Sequence, residues 1–392
     1  MSNPIRPLTL NVEEESLTDL RDRLRRTRFV ENETVGSATV LDWSQGVPLA
    51  YLKDVATYWE QSYDWRRVEG ELNAHGQAVT EIDGLDIHFL HVRSERSDAR
   101  PLVLSHGWPG SVVEALEVMD DLVDPGSADL PAFHVVAPSL PGFGFSGRPD
   151  AEGWTVDRTA DAWAELMGRL GYERYYAVGG DWGGRVTASL AQRHGDKVAA
   201  IHTYSPYVAN AEVEPGSLTE AEDRQLADTR RFWQYGGGYS LEQSTKPQTL
   251  GYGLVDSPVA QLAWILEKLH GWTDCDGHPE NAVSRDRILD NVMMYWLTAT
   301  GASSARFYWQ NFPPERWSTV DVPTAVTVFP RDIEILPRRW VERRFTRLSY
   351  WNVVDRGGHF PMLEVPSTFV ADLRTSLGLL DRNGSAPWSG AQ

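Results

Sequence analysis

Residues 178–186, VGGDWGGRV, have the small-x-nucleophile-x-small outline of a strand-to-helix elbow, but the centre is a carboxylate, Asp181, where such elbows usually present a serine. A carboxylate nucleophile suits in-line displacement at an sp3 carbon. Attack leaves an alkyl ester whose carbonyl a histidine-activated water can cleave, whereas serine would leave an inert ether. Two substrate classes fit that chemistry: epoxides, which need a proton donor for the ring oxygen, and haloalkanes, which need donors for a halide.

The partners for such a nucleophile stand at the ends of other apolar runs. PLVLS is followed by HGWPG, residues 106–110, so the backbone amides of Trp108 and Trp182 are the expected oxyanion donors. Pro109 is expected to fix that turn through a cis peptide. His106 reads as an organiser of the loop by hydrogen bonds, because a better base exists. That base is His359 in DRGGHFPMLEVP, in the order nucleophile, acid, histidine. The acid should follow TAVTVFP, where RDIEIL offers Asp332 and Glu334, and Asp332 stands nearer the strand end.

These groups need a sheet to carry them. PLVLSHGWPG, FHVVAPSLPGFGFSG, YYAVGGDWGG and VAAIHTYSP each end an apolar run in glycine, proline or polar residues, and helical stretches at 157–171 and 184–195 lie between them. The series predicts a mostly parallel sheet with helices on both faces and a ligand site at the strand ends. EIDGLDIHFLHV adds a hairpin with a DG turn. Residues 1–80 read as an N-terminal extension. Its Leu17, Leu20 and Leu24 stripe marks one helix, and Trp43, Tyr51, Tyr58, Trp59, Tyr63 and Trp65 are expected to bury against the core. Core residues 81–208 lead to a helical cap over 209–320, where Ser257 and Pro258 start a helix running to about Leu269. Core strands resume over 321–392, ending in a frayed tail.

Composition narrows the class. The 392 residues are 41% apolar, enough for a large core and a second unit, and the formal net charge of −18 is spread along the chain. That charge speaks against nucleic acid or an anionic membrane as partner. The single cysteine, Cys275, excludes intramolecular disulfides and multi-cysteine zinc sites and fits a reducing compartment. No run approaches the roughly 18 apolar residues of a membrane span, so a cytoplasmic protein without a membrane anchor is expected.

HGWPGS, PSLPGFGFS, GGDWGG, STKPQTLGYGLVDSPV, WILEK, YWLTATGASSARFYWQN and RGGHF occur in an order that resembles the epoxide hydrolases of the α/β-hydrolase superfamily, of the microsomal or juvenile-hormone type with an N-terminal meander. The likeness covers residues 7–380. It implies an α/β-hydrolase fold with a helical cap, Asp181 as nucleophile, His359 as base, Asp332 as acid, and Tyr239 and Tyr308 as ring-opening tyrosines in the cap. It implies no metal and no organic cofactor; the partners are an epoxide and water, a homo-oligomer staying open. The sequence departs from membrane-bound members in lacking an N-terminal anchor helix, and from the mammalian microsomal form in carrying Asp where that form has Glu. Tyr235, Tyr252 and Tyr295 are nearby alternates for the tyrosines.

Haloalkane dehalogenation is the nearest alternative, but dehalogenases with a similar elbow carry asparagine after the His-Gly pair, where this chain has Trp108. A non-catalytic small-molecule-binding member is the alternative of another class, and it would be expected to lack part of the nucleophile, acid and base set. Trp264, Trp272, Trp296 and Trp309 point to a roomy aromatic pocket for a bulky or aryl epoxide. A diol-forming step in detoxification or secondary metabolism would suit it.

Overall fold

Nine strands among the described residues form one sheet: β1 (Arg6–Pro7), β2 (Gln77–Ile82), β3 (Leu85–Val92), β4 (Arg100–Ser105), β5 (Phe133–Pro138), β6 (Tyr175–Gly179), β7 (Val198–Thr203), β8 (Thr324–Val328) and β9 (Leu348–Val353). Their spatial order is β1-β2-β3-β5-β4-β6-β7-β8-β9. The computed structural model describes residues 4–35, 41–208, 218–313 and 318–382. The chain turns between β2 and β3 at Asp83 and Gly84, both at positive φ (52° and 79°), as the DG pair requires. The strands β1, β2, β3 and β5 pair antiparallel and the rest parallel, so the sheet is mixed at one edge and parallel through its centre. Every residue of β5, β6, β7 and β8 is buried, which the continuous apolar runs of these strands permit because helices cover both faces.

The helices Val113–Val123, Val156–Arg169 and Asp181–Arg193 alternate with these strands, and the last begins at Asp181, three residues earlier than its apolar spacing suggested. The cap holds helices Glu220–Tyr235, Gly238–Thr245, Pro247–Asp256, Pro258–Trp272, Arg285–Trp296 and Gly301–Gln310. Ser257 caps the fourth by accepting from Ala260 N, and that helix runs three residues past Leu269. The expected cap boundary at residue 209 and the expected frayed tail after 382 lie outside the described residues. Among the described residues no helix is long and apolar enough to cross a membrane.

The N-terminal segment corrects one expectation. Beyond the helix Glu14–Arg25, whose Leu17, Leu20 and Leu24 are buried, it forms two more helices, Leu49–Gln61 and Trp65–Ala74, whose bulky aromatics blurred the helical period. Its tyrosines do more than fill the core; they reach the cap. Tyr51 donates to Glu280 (2.9 Å), Tyr58 to Asp286 (2.7 Å) and Tyr63 to Asp290 (2.8 Å), while Trp43 stacks on His270 at 4.0 Å. The Asp290 side chain is fully buried and also accepts from Arg67 (2.6 Å) and Arg287 (3.2 Å). From the other side, Asn291 and Tyr295 of the cap donate to the carbonyls of Pro109 and Gly110 in the loop after β4.

Removing Asp290 would leave the buried Tyr63 hydroxyl without its acceptor and Arg67 with only Glu71 at 3.8 Å, while Arg287 would keep Glu71 and Glu117. Asp290→Ala should cost about 3 kcal/mol of stability, the low end for breaking a buried charge network. Urea unfolding followed by circular dichroism checks it.

Candidate active site

The site begins with space that only glycine leaves. Asp181 opens its helix at φ 49°, a left-handed conformation unusual for any residue but glycine. A Cβ on Gly183 would lie 2.1 Å from Ser105 O, one on Gly180 1.9 Å from the Tyr204 ring, and one on Gly107 2.5 Å from the Asp181 side chain. These approaches bring the elbow against the loop after β4, because β4 and β6 are neighbours with Ser105 opposite Gly179. As a result Trp108 N donates to Asp181 Oδ1 at 2.8 Å, from the expected oxyanion loop. The Trp108–Pro109 peptide is cis. Trp182, the second helical residue, has no intrahelical acceptor for its amide. His106 ties the loop as expected: Nε2 accepts from Leu140 N, Nδ1 lies 2.9 Å from Gly107 O, and burial pushes its pKa down to about 4.

His359 follows β9 and points Nε2 at Asp181 Oδ2, 3.8 Å away, which is beyond a hydrogen bond. Its Nδ1 bonds Asp332 Oδ1 at 2.7 Å. That oxygen also accepts from Ile333 N, and Oδ2 accepts from Ser205 Oγ. Of the two acids offered by RDIEIL, Asp332 is thus the one on the imidazole. Glu334 lines the same cavity and makes no bond to it. Burial alone would push the His359 pKa down, but the charge and hydrogen bond of Asp332, with Asp181 and Glu114 behind them, raise it to about 9.

Tyr239, on the helix Gly238–Thr245, and Tyr308, on the helix Gly301–Gln310, face this trio across a cavity of about 600 Å3 lined by all five residues. Their rings lie 6.0 Å apart. Tyr239 stacks on Trp108 at 5.0 Å, and Tyr308 meets Trp182 edge-on at 4.8 Å. Burial and the charge of Asp181 push both hydroxyls well above the ordinary tyrosine value, so both remain donors at neutral pH. The Tyr308 hydroxyl and the Trp182 indole N–H are buried with no hydrogen-bond partner among the described residues. Of the alternates, Tyr235 and Tyr252 are exposed and Tyr295 is spent on Gly110 O.

The expected tryptophan lining is overturned. None of Trp264, Trp272, Trp296 and Trp309 lines the cavity; Trp272 is packed behind Trp108 and His359, and Trp309 is largely exposed. The aromatic wall comes instead from Trp182, Tyr207, Trp233 and Phe312, beside polar Ser205, Gln234, Ser240 and Asn311. Isolated tryptophans in a helical cap carry no signal that tells cavity from packing.

Three supporting residues were missed in the sequence. Glu364 accepts from the amides of Asp274, Gly358 and Phe360 at 2.7, 2.9 and 2.8 Å and so holds the His359 loop. An acid shortly after a Pro-started turn was the available cue. Glu114 is buried in the first turn after the oxyanion loop, and burial pushes its pKa up to about 8. Lys268 is buried with its Nζ 4.7 Å from the Tyr239 ring and bonded to Glu267.

Sheet, elbow and cap together define an α/β-hydrolase, and residues 100–235 match the family model described as alpha/beta hydrolase fold. Residues 5–115 match the model described as Epoxide hydrolase N terminus. The chain is 49% identical, over 94% of its length and 84% of the other's, to a Stigmatella aurantiaca protein to which epoxide hydrolase activity is ascribed. It is 32% identical to Epoxide hydrolase 1 of Sus scrofa, covering 96% of this chain and 89% of that one. The crystal structure of juvenile hormone epoxide hydrolase from Bombyx mori superposes with a TM-score of 0.88 at 28% identity (97% and 95% covered). The Aspergillus niger epoxide hydrolase gives 0.86 at 32% identity (97% of each). The chain belongs to the epoxide hydrolases and is an enzyme of that activity.

The raised pKa of His359 depends in part on the Asp181 charge. Asp181→Asn should therefore lower it from about 9 toward neutrality, read from the imidazole 15N shifts during an NMR titration. An unmoved titration would show that Asp332 alone holds the proton.

Proposed function

We propose that this enzyme opens its epoxide by covalent catalysis, with Asp181 as nucleophile, His359 as base, Asp332 as its orienting acid, Tyr239 and Tyr308 as proton donors, and the amides of Trp108 and Trp182 as oxyanion hole. One observation carries the reading: a carboxylate already bonded through Oδ1 to Trp108 N keeps Oδ2 without a hydrogen bond among the described residues, in the cavity that two buried tyrosines line. Residues 209–320 act in this reading as the cap that brings the tyrosines over the sheet, and residues 1–80 as a meander bracing it.

In the first step Asp181 Oδ2 bonds to a ring carbon, the carbon–oxygen bond of the ring breaks, and the oxygen takes a proton from a tyrosine. Ester formation removes the Asp181 charge, so the imidazolium of His359 loses a stabilising partner and yields its proton, which balances the one the tyrosinate must regain. Neutral His359 then takes a proton from water, the hydroxide adds to the ester carbonyl, and Trp108 and Trp182 hold the oxyanion until the acyl carbon–oxygen bond breaks; the departing alkoxide takes the proton of the carboxylic acid formed on Asp181, so the vicinal diol leaves and the Asp181 carboxylate and protonated His359 are restored. The aromatic wall suits a bulky or aryl epoxide, and the single buried Cys275 suits a reducing cytoplasm.

A single turnover of racemic styrene oxide in 18O-water should place heavy oxygen in the Asp181 carboxylate, found by mass spectrometry of the peptide, with diol formed. Diol without label there would overturn the nucleophile. His359→Gln should accumulate the ester as a mass gain equal to the substrate, and Asp181→Ala should show neither ester nor diol.

A further inference from the structure

Arg185 stands four residues after Asp181 on the same helix, hence on the same face and just over one turn, about 6 Å, further along it. Its guanidinium lies 3.8 Å from the Tyr207 ring and 4.6 Å from the Trp182 ring. Those contacts hold its plane and leave its edge donors unused, since it makes no hydrogen bond or ion pair among the described residues. Arg193, two turns on, shows the ordinary alternative by pairing with Asp157 and Asp161.

A second cavity of about 380 Å3 adjoins the catalytic one, and Trp182, Arg185, Tyr207, Asn311 and Phe312 line both. It also holds Arg344, which is 6% exposed, donates through Nη1 to Tyr207 O, and keeps a buried Nε without a partner. Burial and the positive charge of Arg185 push the Arg344 pKa down to about 10. Neither arginine forms an ion pair among the described residues, and the acid that interacts with Arg185 is Glu334. Asp157, which lines the second cavity, is taken by Ser189 and Arg193. Glu334, in the catalytic cavity, makes no ion pair with Arg185, and burial raises its pKa to about 7, so its carboxyl is only partly ionised. Two cations side by side with unmet donors are unfavourable unless an anion joins them.

We propose that Arg185 and Arg344 form an anion subsite in the cavity beside the Asp181 carboxylate, and that the substrate is an epoxide bearing a carboxylate. This rests on the epoxide-opening reading above and adds the substrate class. A guanidinium whose plane is fixed by two rings matches the bidentate geometry of a carboxylate. Anchored there, the substrate presents its oxirane between Asp181 and the tyrosines.

The test compares 4-(oxiran-2-yl)benzoate with 4-methylstyrene oxide. The wild-type enzyme should favour the carboxylate at least tenfold in kcat/KM, and Arg185→Gln should bring the ratio of the two substrates close to one, with most of the change in KM. Arg344→Gln should do the same if circular dichroism shows it folded. A second readout avoids turnover: calorimetric binding of 4-ethylbenzoate against 4-ethylbenzamide, with inorganic phosphate as competitor. Preferential binding of the benzoate that Arg185→Gln abolishes supports the subsite even if the catalytic assignment fails. Equal binding of acid and amide, an unchanged ratio in Arg185→Gln, or phosphate binding as tightly as the benzoate would overturn it.

Discussion

Everything at the site follows from one close approach: the backbone of β4 and the start of the helix Asp181–Arg193 meet where only hydrogen atoms fit. With Gly183 against Ser105 O and Gly107 against the Asp181 side chain, the carboxylate sits within reach of Trp108 N. A larger residue at either glycine would push helix and loop apart by more than a hydrogen bond can stretch. The positive φ of Asp181 is the local cost of turning a strand into a helix in that space, and the parallel centre of the sheet is what resists its relaxation.

The same approach organises charge. Asp181 and Asp332 flank one imidazole, so a proton on His359 is favoured while Asp181 is charged, and in the proposed cycle it is released when Asp181 becomes an ester. A single group can thus pair with the nucleophile in one half of the cycle and act as a base in the other. The neighbouring carboxyls, Glu114 and Glu364, are driven toward their neutral forms by burial. Glu364 also serves through hydrogen bonds, holding the loop that carries His359.

Much of this was legible in the sequence because it depends on short-range patterns. The continuous apolar runs ending in glycine, proline or polar residues located β4 to β8, and the elbow, the HGWPG loop and the terminal histidine could be ordered along the chain without coordinates. Asp332 was separable from Glu334 by its nearness to the strand end, and it is the acid bonded to His359. Tyr239 and Tyr308 were visible only through family likeness, since a tyrosine in a helix carries no local mark of what it faces. The two helices at Leu49–Gln61 and Trp65–Ala74 were obscured because aromatics on several sides erase the period, and the tyrosine contacts across more than 220 residues have no local signature. The tryptophan lining failed for the same reason: which ring meets a cavity is decided by the packing of helices distant in sequence.

The cap is fastened twice, by the tyrosines and arginines of the N-terminal segment on one flank and by the carbonyls of Pro109 and Gly110 on the other. To swing away as a body it would have to uncover the buried Asp290 carboxylate and break the loop that carries Trp108. A roof buckled at both eaves along one beam, the helix Arg285–Trp296, resists lifting there, so any change in the outline of the entrance falls to the cap helices that bear Tyr239 and Tyr308.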